Sequence, residues 1–260
     1  MTSQAGNPPD PVSLTVTDNI GVVRIDNPPV NALDEATYLA LAERFTEVNT
    51  LPDVRAAVLT AAGTRAFCAG TDVRDFGVVH HDDPGWQDRH SERARRAFFA
   101  IYNCRVPVVG AVQATAVGAG IPLVASCDVV VAADSAKFGL PEIDVGVLGG
   151  ARHLSRLVPQ QYVRWMMYTG RRITAHQLQA FGSVLRVVPA DEVLGEALAV
   201  AREIAEKIPR GIQLAKEGLN HLELCDLDLE RGYMYEQTLT RQLKNDPQAI
   251  GAAKEFLQKR

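Results

Sequence analysis

Apolar and polar positions alternate through VSLTVTDNIGVVRI at 12–25, interrupted at Asp18-Asn19-Ile20-Gly21, which predicts two short antiparallel strands joined by a turn. From Asp34 the period changes. Leu39, Leu41, Phe45 and Val48 recur at near-helical spacing behind Asp34 as N-cap, and RAAVLTA at 55–61 then reads as a short buried strand. The alternation repeats: a helix over 91–104, the strand VPVVGAV at 107–113, a glycine-rich turn, a short helix near 119–126 and the strand DVVVAAD at 128–134. Strands alternating with helices predict a mostly parallel sheet covered on both faces, an α/β fold. After about residue 150 only SVLRVVP at 183–189 keeps a strand signal. It interrupts helices expected near 151–158, 161–169, 175–181, 191–207, 211–223, 227–244 and 247–258.

Composition narrows the function classes. Lys plus Arg number 27 and Asp plus Glu 31, a net charge of −4, so no overall positive field is available to hold a phosphate backbone and nucleic acid is not an expected partner. No apolar run reaches the roughly 18 residues of a membrane helix, and MTSQAGNPPD carries no leader pattern, so a soluble, cytoplasmic protein without a membrane partner is expected. Cys68, Cys104, Cys127 and Cys225 lie far apart, as expected of reduced, packed thiols rather than a disulfide framework or a zinc site.

The chain lacks GxxxxGK[ST], HExxH and GxSxG. Gly118-Ala119-Gly120-Ile121-Pro122-Leu123 imitates a dinucleotide fingerprint, but Leu123 stands where the third glycine belongs. More informative are three turns. Ala66-Phe67-Cys68-Ala69-Gly70-Thr71-Asp72 leaves a strand and is expected to enter a helix, which would leave the Thr71 N–H unpaired. Val117-Gly118-Ala119-Gly120 does the same, with Pro122 in the first helical turn, where its missing N–H costs nothing. Two main-chain N–H groups aimed at one oxygen form an oxyanion hole, suited to an enolate or a tetrahedral centre. In the third turn, Phe138 to Gly146, Glu142 follows a proline in an apolar stretch, where a carboxylate tends to have a raised pKa and can serve as acid or base.

With these residues the chain resembles the crotonase superfamily, the enoyl-CoA hydratase and isomerase family. The matching segments are RIDNPPVNAL at 24–33, AFCAGTDV at 66–73, the long stretch 107–147, YTGRRITAHQLQAFGSV at 168–184 and AKEGLN at 215–220, in order along nearly the whole chain. The resemblance implies a spiral core of strand–strand–helix turns over 1–190 and a C-terminal helical region over 191–260 that serves oligomerisation and part of the CoA site. It also implies an acyl-CoA thioester as substrate, with no separate cofactor and no metal, and a homotrimer or hexamer. It assigns the oxyanion-hole N–H groups to Thr71 and Ala119, the acid/base to Glu142, and CoA contacts to Arg24, Arg65, Ala66, Phe67, Ala69, Phe256 and Lys259.

One departure changes the expected chemistry. Hydratases of this family carry a second glutamate where this chain has Pro122. Proline can neither give nor take a proton, so double-bond isomerisation or a related lyase reaction through Glu142 alone is expected over simple hydration. The alternatives are a non-catalytic acyl-CoA-binding member and a hydratase with a substitute second acid. Asp75, Asp144 and His153 are candidates for the acyl pocket, whose walls are expected from the 72–90 loop and the C-terminal helices. Against a role in chemistry, Asp144 reads as a cap or an arginine partner, His80 and His81 as a solvated loop, Arg171-Arg172 as surface, and Cys68 as packing.

Overall fold

The computed structural model describes residues 10–72, 74, 83, 85–145, 148–225, 238, 246–248, 250 and 251. The predicted hairpin is present as β1 (Val12–Thr17) and β2 (Ile20–Ile25), paired from Val12↔Ile25 to Thr17↔Ile20. Its two-residue turn holds Asp18 and Asn19 at φ 51° and 64°, the left-handed pair that matches the twist of a tight hairpin and that Asp and Asn tolerate. The helix α1 (Glu35–Thr50) starts where expected. Asp34 Oδ1 accepts from the Thr37 N–H at 2.8 Å and from the Thr37 hydroxyl at 2.7 Å.

Behind the hairpin come β3 (Ala56–Ala61), β4 (Val108–Val112), β6 (Val129–Ala133) and β9 (Arg186–Val188), each parallel to its neighbour, giving the sheet order β1-β2-β3-β4-β6-β9. All residues of β3 and β4 are buried, so both faces of the sheet centre are covered, as a parallel sheet requires. Helix α1 packs on β1 and β2, and α7 (Val193–Ala205) packs across β2, β3, β4 and β6.

The sequence pattern missed a second sheet. Strands β5 (Ala116–Val117), β7 (Lys137–Gly139) and β8 (Ile173–Thr174) pair in the order β5-β7-β8. At two or three residues each, they are too short to display an alternation. This small sheet matters because β5 feeds the Gly118 turn and β7 feeds the turn that carries Glu142. Elsewhere the helical expectations shift by a few residues. Helix α2 (Trp86–Tyr102) begins earlier than 91, and α4 (Ala151–Leu154) is a single turn. Helices α3 (Gly120–Ser126), α5 (Gln160–Thr169), α6 (Ala175–Ala180) and α8 (Pro209–Cys225) lie where expected. The helices expected at 227–244 and 247–258 lie almost wholly outside the described residues.

Helix α8 is fastened by a buried ion pair. Lys216, 5% exposed, donates to Asp128 Oδ2 at 2.7 Å and to the Val106 carbonyl at 3.1 Å, while Asp128 Oδ2 also accepts from the Val108 N–H at 2.7 Å. The partners are unequal, because Asp128 keeps contact with water and Lys216 does not. Removing the acid strands a buried ammonium; removing the lysine leaves a carboxylate that is part-solvated and still hydrogen-bonded. Asp128→Ala is therefore expected to lower the unfolding free energy by about 3 kcal/mol, and Lys216→Met by about 1 kcal/mol or less, as read from urea unfolding.

Candidate active site

Three chain turns meet at one point. Gly70, at φ +102°, and Gly118, at φ +57°, bring their backbones so close that a Cβ on Gly118 would sit 3.0 Å from Gly70 Cα and 3.2 Å from Glu142 Oε1. A Cβ on Gly70 would lie 3.6 Å from the Ala119 nitrogen. Gly118 needs glycine twice over, for the positive φ and for the space, and Gly70 needs it for the positive φ.

The Thr71 N–H is left over, though for a different reason than a helix start. Thr71 forms an isolated parallel bridge with Leu33, in which the Leu33 N–H donates to the Gly70 carbonyl at 2.8 Å and the Asp72 N–H to the Leu33 carbonyl at 3.0 Å. The Thr71 N–H takes no part in that pattern, and Asp72 is not helical. The Ala119 N–H precedes α3 and is likewise outside its ladder: Gly118 donates to the Gly139 carbonyl at 3.1 Å, and Ile121 donates back to the Gly118 carbonyl at 2.9 Å. Neither Thr71 nor Ala119 donates its N–H to an acceptor among the described residues. Two side chains brace the first turn. The Tyr38 hydroxyl meets Thr71 Oγ1 at 2.8 Å, and Asn31 Nδ2 donates to the Ala62 and Ala66 carbonyls at 2.8 and 2.9 Å, tying down the loop that leads to Gly70.

Glu142 lies in the 3-10 segment Pro141–Val145 that follows β7. Its Oε2 is buried without a hydrogen-bond partner, and burial pushes the carboxyl above the ordinary glutamate value. An unsatisfied carboxylate oxygen is a destabilising feature unless something else binds there.

All three turns open into a cavity of about 630 Å³. Thr71, Ala119, Pro122 and Glu142 line it together. Another wall is α2, which presents Trp86, His90, Ala94 and Phe98 at intervals of four residues, with Arg95 and Phe99 beside them. Aromatic contacts join this wall to the rest of the site. His90 stacks on Trp86 at 4.8 Å and meets Tyr38 edge-on at 5.6 Å; His153 meets Phe98 at 5.5 Å and Phe99 at 6.2 Å. Burial, with Arg156 and Arg152 nearby, lowers the His153 pKa and keeps its imidazole neutral at neutral pH.

Of the residues singled out from sequence, Thr71, Ala119, Glu142, Ala69, Asp144 and His153 border this cavity. Arg24, on the exposed side of β2, Arg65, Ala66 and Phe67 do not. Ala66 and Phe67 are 7% and 0% exposed, so their side chains belong to the core and leave only main-chain atoms for a ligand. Asp144 has no arginine partner among the described residues. It packs instead against Gly170, where a Cβ would meet its Oδ2 at 2.9 Å. Cys68 is a packed thiol, its pKa pushed up to about 12 by burial. Asp75, His80, His81, Phe256 and Lys259 lie outside the described residues. The α2 wall and Tyr38 were not legible as site residues. Their 3.6-residue periodicity is that of any packed helix, and only the fold brings them to the cavity that Glu142 lines.

Residues 15–260 match the model of the enoyl-CoA hydratase/isomerase family. A (7aS)-7a-methyl-1,5-dioxo-2,3,5,6,7,7a-hexahydro-1H-indene-carboxyl-CoA hydrolase of Rhodococcus jostii is 42% identical over 231 residues, covering 87% of this chain and 88% of that protein. A probable enoyl-CoA hydratase of Mycobacterium bovis is 33% identical over 250 residues, 93% of this chain and 92% of that one. Among solved structures, an enoyl-CoA hydratase of Mycobacterium smegmatis superposes with a TM-score of 0.89 at 29% identity, over 96% of this chain and 97% of that chain.

Two substitutions test the geometry. Gly118→Ala adds a methyl group into the Gly70 backbone at a positive φ, and is expected to lower stability by at least about 1–2 kcal/mol in urea unfolding. Glu142→Gln acts through pH. A carboxyl whose folded pKa is raised withdraws stability as pH climbs from the unfolded value of 4.5 through the folded one. The variant should therefore melt at a higher temperature than the wild type at pH 7, with the gap closing by pH 4.

Proposed function

The chain belongs to the enoyl-CoA hydratase/isomerase family, and from that premise we propose that it is an acyl-CoA enzyme in which the Thr71 and Ala119 N–H groups hold the thioester oxygen as an enolate while Glu142 is the single acid and base. The observation that carries this reading is the pairing of Glu142, with its unpartnered buried oxygen, and Pro122 in one cavity. Glu142 is the carboxylate at the Gly118 turn, where the hydration mechanism uses two; Asp144, the other acid lining the cavity among the described residues, packs against Gly170.

The reaction that fits best is hydrolysis of a carbon–carbon bond in a cyclic β-oxo acyl-CoA. Glu142 takes a proton from water as the water oxygen bonds to the ketone carbon. The bond from that carbon to the α-carbon then breaks, and its electron pair moves onto the α-carbon as the thioester enolate. Glu142 returns its proton to the α-carbon, so one group serves both steps and the product is a ring-opened carboxylic acid that keeps its CoA. The hydrolase names of relatives at 42% and 40% identity support this choice. Double-bond isomerisation is the second reading, supported by the same solitary carboxylate, which can remove a proton from one carbon and return it to another. A non-catalytic binder would have no use for a carboxylate left unsatisfied beside two spare N–H groups. A homotrimer or hexamer accompanies the proposal, supported by the exposed aromatic edge of α5, where Tyr162, Trp165 and Tyr168 follow at intervals of three residues. Phe256 and Lys259 are proposed to reach CoA across that assembly, and Arg24 and Arg65 to act at the phosphates.

The test is to incubate the protein with a bicyclic β-oxo acyl-CoA and, separately, with crotonyl-CoA and a β,γ-enoyl-CoA, and to follow mass gain, free thiol and deuterium uptake. Gain of one water with ring opening, without release of free CoA, is the expected result. Release of free CoA, or fast hydration of crotonyl-CoA, overturns it; a shift of the double bond without water gain selects the second reading. Glu142→Gln should slow the active reaction about a hundredfold or more, and the wild-type rate should fall on the acid side as the raised carboxyl protonates. Pro122→Glu should add hydration of crotonyl-CoA.

A further inference from the structure

Thr71 brings to the cavity more than its main-chain N–H. Its hydroxyl meets the Tyr38 hydroxyl at 2.8 Å, both residues line the cavity, and Tyr38 is only 1% exposed. A phenolic O–H is a better donor and a poorer acceptor than an alkyl one, because its oxygen lone pairs are drawn into the ring, so the pair is most stable with Tyr38 donating to Thr71 Oγ1. The Thr71 proton is then turned elsewhere. It meets no acceptor among the described residues.

The hydroxyl is held as firmly as the N–H beside it. The bridge from Thr71 to Leu33 fixes the backbone, the branched side chain has few χ1 choices, and the Tyr38 ring is itself set between His90 and Phe98, edge-on to each at 5.6 and 6.0 Å. Covalent structure fixes the distance between the two donors. Three bonds separate the Thr71 nitrogen from its Oγ1, which keeps them within about 4 Å of each other in every rotamer. A ligand that satisfies both needs two acceptor oxygens at a similar short separation. The two carbonyl oxygens of a β-oxo thioester have it when they lie on one side of the molecule, whereas a saturated or simple enoyl thioester has one oxygen and leaves the O–H unused.

We infer that the Thr71 hydroxyl, oriented by Tyr38, is a specificity residue for β-oxo acyl-CoA substrates, with the Thr71 N–H on the thioester oxygen and the O–H on the ketone oxygen. The inference rests on the acyl-CoA reading of the site and deepens it. In ring-opening hydrolysis the ketone oxygen gains negative charge as water adds to its carbon and gives it back when the bond to the α-carbon breaks. A donor at that oxygen therefore assists the step in which Glu142 takes the proton from water.

Matched pairs of thioesters test this by binding alone. Dissociation constants are measured by calorimetry for the full-length protein with CoA, with butyryl-CoA against acetoacetyl-CoA, and with hexanoyl-CoA against 3-oxohexanoyl-CoA; if the wild type cleaves a β-oxo thioester, the series is run in Glu142→Gln. At least one β-oxo thioester should bind about five- to tenfold more tightly than its saturated partner. Thr71→Val keeps the N–H and the shape but removes the O–H, and should erase that gap; Thr71→Ala does the same if Thr71→Val fails to fold. Thr71→Ser should retain the gap, and Tyr38→Phe, which leaves the hydroxyl unoriented, should narrow it. The inference is overturned if neither β-oxo thioester is preferred, if the preference survives loss of the hydroxyl, or if Thr71→Val weakens saturated and β-oxo thioesters equally, which would make the hydroxyl a third donor to the thioester oxygen. Failure of every thioester to bind would instead overturn the acyl-CoA reading itself.

Discussion

The candidate site depends on two backbones approaching at Gly70 and Gly118. With a Cβ on Gly118 only 3.0 Å from Gly70 Cα, the two turns approach this closely because position 118 carries no side chain. The approach brings the Ala119 nitrogen to the Gly70 turn, which leads into Thr71, and leaves Glu142 Oε1 against the Gly118 backbone. The rest of the fold supplies restraint for this contact. Leu33 bridges to Thr71, Cys68 bridges to Ala116, and Gly118 donates to Gly139, so the first turn, the second turn and the Glu142 segment are tied in series by main-chain hydrogen bonds. On the proposed reading, main-chain donors fixed in this way need no reorganisation when charge develops on a bound oxygen.

A site assembled this way is a local liability for stability. It holds two spare donors, a carboxylate oxygen without a partner and non-helical backbone in a mostly apolar surround. Compensation comes from elsewhere in the chain. The fully buried β3 and β4, the cover of α7 across four strands, and the Lys216–Asp128 pair that fastens α8 all lie outside the cavity lining. The division is economical in evolutionary terms as well, since the cavity wall contributed by α2 can change its side chains without disturbing the hydrogen bonds that position the two nitrogens.

Which parts of this were legible in the sequence follows from the range over which each signal acts. The hairpin, Asp34 as cap and the buried strands are written in contiguous residues, and the structure has them within a few positions. The three turns were legible because glycine, proline and a lone glutamate in apolar surroundings are local signatures, although the spare N–H of Thr71 comes from a bridge to Leu33 that no local pattern could reveal. The strands β5, β7 and β8 were missed because two or three residues carry no period. Tyr38 on α1 and His90, Arg95 and Phe98 on α2 were missed for the opposite reason: their spacing is regular but generic, and only the fold brings the two helices to the cavity that Glu142 lines. Asp144 reads from sequence as a cap or an arginine partner; the fold sets it against Gly170, with no arginine partner among the described residues.

Pro122 shows how one residue can redirect a site while keeping its frame. It occupies the third position of α3, where a proline disturbs no helical hydrogen bond, and lies near Gly150, a Cβ on which would come within 3.7 Å of the proline ring. A carboxylate at that position would add a like charge to the Glu142 neighbourhood and raise its pKa further by repulsion; with proline there, desolvation is the leading cause of the upward shift. Glu142 is then protonated less readily than a member of a carboxylate pair, yet more readily than a solvated glutamate. On the proposed reading it takes a proton from water and returns it to carbon. A proline in place of the second acid, as proposed above, would remove the separate proton donor for addition across a double bond and leave a base suited to reactions in which the same proton leaves and comes back.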